Sequence, residues 1–173
     1  MTSGPLPLRG HCTLCLRVLP LDPPSRGLLA LRVAEHVHGH LGWLAAAALA
    51  HPALLLRSTA RRAHLSVALA AFVATLAGAL GMALYPAYRE QLKPSIFAGS
   101  PALGFAFERK EHLAFGAIVL AWAGALTYAG ALVASGGVGQ RLRKASHACF
   151  VAAAVFAVAT AALGTCVATY RTF

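Results

Sequence analysis

Apolar residues in this chain run in long blocks rather than in the alternating or one-sided patterns of soluble elements. Four stretches carry no charged residue: 41–56, 65–84, 113–133 and 148–167. A spanning helix takes about 20 residues, with a range of about 17–25, so the last three qualify as they stand. The first reaches that length if its helix starts near Leu28, after the breaker run Leu21-Asp22-Pro23-Pro24 with Ser25 as N-cap. The pattern predicts helices over about 28–57, 64–85, 111–134 and 145–169, preceded by a tail over 1–27.

Breakers separate the blocks. Arg57-Ser58-Thr59-Ala60-Arg61-Arg62 is a short turn, and Tyr85-Pro86 opens a longer connection to Lys110. Gly136, Gly137 and Gly139, followed by Arg141, Arg143 and Lys144, link the last two helices. The expected fold is all-α, an integral membrane four-helix bundle running up-down-up-down. Side A holds both termini and the long connection; side B holds the two short links.

Composition agrees with the pattern. Hydrophobic residues make up 58% of the 173 and charged residues 12%, against about 45–50% and about 25% in a soluble domain. Mean hydropathy is +0.67. A soluble domain of this length has nowhere to bury so widespread an apolar excess. The net charge of +10 would suggest nucleic acid, but the bases sit at the ends of apolar runs, as membrane anchors do. The lipid bilayer is therefore the expected partner. The leader contains Pro5, Pro7 and scattered arginines without a continuous apolar stretch, so no cleavable signal is expected.

Side B carries Arg57, Arg61, Arg62, Arg141, Arg143 and Lys144 and no acid, while side A carries the remaining bases with all five acids. The density of bases beside the helix ends places the side-B loops, 57–63 and 135–146, in the cytoplasm, although the raw count favours side A. The Ala-, Arg- and Gly-rich composition points to a bacterial inner membrane.

Internal matches suggest a duplicated hairpin. At an offset of 83, helix two falls on helix four, pairing His64 with His147, Ala79 with Ala162, Leu80 with Leu163 and Gly81 with Gly164. At an offset of 76, Glu35-His36 falls on Glu111-His112. Parallel repeats of this kind are related by an axis along the membrane normal.

The repeat puts His36 and His112 on side A and His64 and His147 on side B. At about 100° per residue His36, His40 and His51 share one stripe of helix one, and His38 lies on the opposite face. Histidine is costly in a bilayer and normally faces an interior or a watery cavity, so eight in this chain call for an explanation. Three readings stay open. Paired imidazoles could ligate b-type haem, up to two per chain, with Glu35 and Glu111 orienting the rings on side A. Alternatively His36, His40, His64, His112 and His147 could hold copper, zinc or iron. The third is a purely structural small membrane subunit with interfacial histidines.

In its four helices and histidine placement the region over about 28–173 resembles the di-haem membrane cytochromes of the cytochrome b561 type, and more distantly the copper-resistance membrane proteins of the CopD type. The resemblance implies electron transfer across the membrane between two b haems. One would take His36 or His40 with His112, the other His51 or His64 with His147. It also implies a quinone or a redox protein as partner, and membership of a larger membrane complex.

Other motifs add less. His11-Cys12-Thr13-Leu14-Cys15 has the spacing of half a zinc site or of a redox pair. Cys149 and Cys166 lie about 25 Å apart along one helix and cannot bond to each other. The connection from Tyr85 to Lys110 mixes charges with Ile96, Phe97, Leu103, Phe105 and Phe107, as would a cover over the side-A histidines or a plain interfacial loop. No nucleophile–base pair or phosphate-binding loop is present, so an enzymatic role would be as an oxidoreductase component.

Overall fold

The computed structural model describes residues 26–58 and 63–170. Every regular element among them is a helix: α1 Arg26–Leu55, α2 His64–Gln91, α3 Lys93–Gly99, α4 Pro101–Val133 and α5 Gly136–Tyr170. Three of these, α2, α4 and α5, are long and apolar enough to cross a membrane. Helix α1 has the length, but its histidines and Pro52 dilute its apolar run. The His11-Cys12/Cys15 motif and the Ser25 cap lie outside the described residues.

Helix ends differ from the sequence pattern in instructive ways. Helix α2 continues through Pro86 to Gln91 instead of stopping at Tyr85. A proline removes one helical N–H, and a packed helix tolerates that single loss. Helix α4 starts at Pro101 instead of 111, with Ser100 as N-cap accepting from Leu103 N at 3.5 Å and Pro101 in the first turn. Helix α5 starts at Gly136, whose φ of +63° suits glycine, instead of at 145. The expected connection from Tyr85 to Lys110 is thus almost wholly helical, interrupted only at Leu92 and Ser100.

Helix α1 packs against α2 and α5, α4 against α5 and α2, and α3 against α4 and α2. The main core is built from small residues, including Ala46, Ala70, Ala74, Ala121 and Ala153, around the fully buried Leu49 and Phe150. Large apolar side chains lie outside, among them Leu65, Met82, Phe115 and Leu126. Small inside and large outside is the arrangement that lets helices approach closely in lipid. At Gly124 a side-chain carbon would stand 2.9 Å from Phe150 Cε2, so only glycine fits there without displacement.

Two tryptophans link the hairpins. Trp43 of α1 donates to Thr165 of α5 at 3.2 Å, and Trp122 of α4 donates to Thr75 of α2 at 3.0 Å. A second, smaller apolar cluster of Tyr88, Leu92, Ile96, Phe107 and Val167 closes the side-A end, with α3 as its lid.

Candidate functional site

The histidines expected to face one another inside the bundle lie elsewhere. His36, His40, His51, His64 and His112 are exposed. His36 and His112 each donate from Nδ1 to a carbonyl one turn back on the same helix, Arg32 O and Glu108 O, both at 2.8 Å. His51 Nδ1 shares a 2.8 Å hydrogen bond with Ser66 Oγ, and His64 meets the edge of Tyr128 with ring centroids 5.6 Å apart. His147 is half-buried in a cavity shared with Arg57, Arg143 and Lys144. The common stripe of His36, His40 and His51 is the outward one, because Ala45, Ala46, Leu49 and Ala53 take the interior positions of α1.

A haem held by two histidines inside the bundle needs facing imidazoles and a gap wide enough for a macrocycle. Here that space is filled by Leu49, Phe150 and the core alanines, so the residues present do not fit the group there. Among the described residues no group of three or more His, Cys, Asp or Glu side chains could hold a metal ion. The cations around His147 oppose a metal as well.

A different set of residues does converge. Between the main core and the side-A cluster lies a layer to which all four long helices contribute. Helix α1 supplies Glu35 and His38, α4 supplies Lys110 and Glu111, α2 supplies Gly81 and Tyr88, and α5 supplies Gly164. The His38 ring lies against Gly81, where a side-chain carbon would come within 2.9 Å of Cε1. Lys110 runs past Gly164, where such a carbon would lie 3.6 Å from Nζ. The ammonium stands 4.5 Å from the centre of the Phe107 ring, and that ring stacks on Tyr88 at 3.8 Å. Glu35 and Glu111 are half-buried and lie within electrostatic reach of Lys110 and Tyr88.

His38 Nδ1 in the layer and Thr160 Oγ1 on α5 are buried without a hydrogen-bond partner in the protein. Buried polar atoms of this kind call for ordered water or a small polar guest. Towards side B the interior is the Ala-, Leu- and Phe-lined core, so the layer does not continue across the bundle. Outside the layer, the Lys93 ammonium of α3 bonds Glu108 Oε1 at 2.8 Å, which raises it above the ordinary lysine value.

Sequence reasoning missed Lys110 because it was placed at the end of a loop, and set His38 aside because it faced away from its neighbours. The available signal was Gly81 paired with Gly164 at the offset of 83. Of those two, Gly81 makes the clearance for His38, and Gly164 lies at ordinary contact distance from Lys110. No protein-family model matches the chain, and neither a curated protein nor a solved structure matches it significantly.

Proposed function

We propose that the chain is a bacterial inner-membrane subunit of four spanning helices, built as two related hairpins in an up-down bundle. Its chemistry is ionic and sited in the Glu35, His38, Lys110 and Glu111 layer, with no redox cofactor inside the bundle. One observation carries this reading: Lys110 lies over Phe107 and beside Gly164, within electrostatic reach of Glu35 and Glu111, at the edge of an apolar core. An ionisable group within a spanning helix is expensive, about 2.5–3.5 kcal/mol at mid-helix on an insertion scale, and is normally functional. The apolar outer surface supports the membrane setting. A layer of amine, carboxyls, imidazole and phenol exchanges protons with trapped water. Because it reaches one end only, it serves as a proton-binding site and not as a transmembrane path. The side-B loops face the cytoplasm, so the layer lies towards the opposite face.

Infrared difference spectroscopy of the membrane-extracted protein tests this. The expected result is a carboxyl band that changes with pH and is lost in Glu111→Gln, in a colourless preparation. Absence of any pH-dependent carboxyl band would overturn the assignment of the layer. A second reading has one observation in its favour. His36 and His112 each hold Nδ1 on a carbonyl and leave Nε2 turned outward on side A, the arrangement of a metal-ligating imidazole. Peripheral b haem or a metal shared with a redox partner would then make the chain an electron-transfer subunit, with quinone as a candidate acceptor. Sharp b-type bands in a reduced-minus-oxidised spectrum would favour it.

A further inference from the structure

On side A the polar layer is closed by a short helix that hangs between two joints. Helix α3 has only 7 residues, and the helical run breaks at Leu92 before it and at Ser100 after it. A proline follows each joint, Pro94 and Pro101, and its missing N–H cannot carry on the hydrogen-bond ladder of the helix before it. At Ser100 the backbone is extended, with φ −157° and ψ 98°. Within α3 the one buried side chain is Ile96, which is fully enclosed.

Ile96 belongs to the cluster of Tyr88, Leu92, Phe107 and Val167, so it backs the stacked Tyr88 and Phe107 rings. The Phe107 ring in turn covers the Lys110 ammonium at 4.5 Å. Contacts thus run without a gap from α3 to the charge of the layer. Three more seat α3 on α4. Lys93 bonds Glu108 Oε1 at 2.8 Å, and Phe97 meets the edge of Phe105 with ring centroids 5.5 Å apart. Phe97 also fills the space over Gly104, where a side-chain carbon would stand 2.6 Å from its Cδ2. The ion pair is partly exposed and contributes little, so Ile96 is the main hold. A segment held by one buried side chain between two breaks belongs to the low-stability end of a fold and opens while the long helices stay intact.

We infer that α3 is a gate over the polar layer: it swings off α4 about Leu92 and Ser100, the Tyr88–Phe107 pair loses its backing, and water reaches Lys110 from side A. Hinges of this kind sit at the ends of elements, where a few residues absorb the change of backbone angle. A layer that exchanges protons must meet bulk water, and the apolar core bars the way from side B. The inference rests on the proposal that the layer binds protons, and its test separates the two. The readout is the rate at which a water-soluble acetylating ester modifies Lys110 in full-length protein, followed by peptide mass spectrometry. Exposed Lys144 on α5 serves as the internal reference. In a cysteine-free background, Phe97→Cys with Gly104→Cys places a disulfide between α3 and α4 that a reductant opens again.

The expected result is modification of Lys110 about tenfold slower with the disulfide closed than after reduction, at an unchanged Lys144 rate. Both forms come from one preparation, so the comparison does not depend on how well a variant folds. Ile96→Ala should speed the reaction of Lys110 about tenfold, and Lys93→Gln by at most about fivefold. Equal Lys110 rates in the closed and reduced forms, both well below that of Lys144, would overturn the gate and leave the layer standing. Failure of the disulfide to form would contradict the seating of α3 and overturn the gate as well. Wild-type Lys110 reacting as fast as Lys144 would overturn the enclosed layer itself, and the gate with it.

Discussion

Lys110 shows how a single charged side chain is held by an aromatic face and nearby acids. Its stem passes Gly164 at ordinary contact distance, its ammonium stands over the Phe107 ring, and Glu35 and Glu111 offset part of the loss of water. Lys110→Met keeps the length and removes the charge that Glu35 and Glu111 feel. The expected loss is about 1–3 kcal/mol of stability, read from thermal unfolding in detergent. Adding Glu111→Gln should recover part of that loss, because the carboxylate next to the lost cation is gone as well. Additive losses in the double variant would mean that the two side chains do not interact. The His38 ring takes the room left by Gly81, and its Nδ1 has no hydrogen-bond partner in the protein.

Helix ends in this chain are settled by contacts between elements as much as by local sequence. The N-cap of α2 is Ala63, which has no side-chain acceptor, and its buried N–H donates to the Tyr128 hydroxyl of α4 at 2.9 Å. Tyr128→Phe would strand that N–H and lower stability by about 1–3 kcal/mol, whereas Tyr85→Phe, without a hydroxyl hydrogen bond of this kind, should change it little. Chemical unfolding of the two variants side by side checks this. Such a cap is invisible in sequence, because Ala63 and Tyr128 are far apart along the chain. The Ser100-Pro101 start of α4, by contrast, was legible as a cap followed by proline and was hidden only by the charges of Glu108 to Glu111. The all-helical class and the three long apolar spans were readable from uninterrupted apolar blocks, since backbone bonding in such blocks needs no partner strand. Which face of each helix turns inward was not. With large apolar residues outside and alanine inside, a histidine stripe reads the same whether it points to the core or away from it, and only packing put His38 inside and His36 and His40 outside.

At the scale of the whole molecule the two ends are chemically unlike. The side-B end concentrates Arg57, Arg143, Lys144 and His147 around one cavity, whereas the side-A end mixes bases with acids, pairs Lys93 with Glu108 and carries the α3 lid. Translocation is opposed by bases close to the ends of spanning helices, and acids beside them count for little. The turn after α1 and the link before α5 are both short, so their charges act on orientation with full weight. The side-A bases are spread over a tail, a longer connection and a terminus, whereas six bases crowd into the two side-B links. Single cysteines introduced into a cysteine-free background report the outcome. A membrane-impermeant thiol reagent added to intact cells should label Ala98→Cys on α3 and leave Gln140→Cys on α5 unlabelled until the membrane is opened. The reverse pattern would turn the molecule over, placing the polar layer towards the cytoplasm and the basic cavity in the outer leaflet. Labelling of both sites in intact cells would instead contradict opposite placement of the two ends, and with it the bundle of four spanning helices.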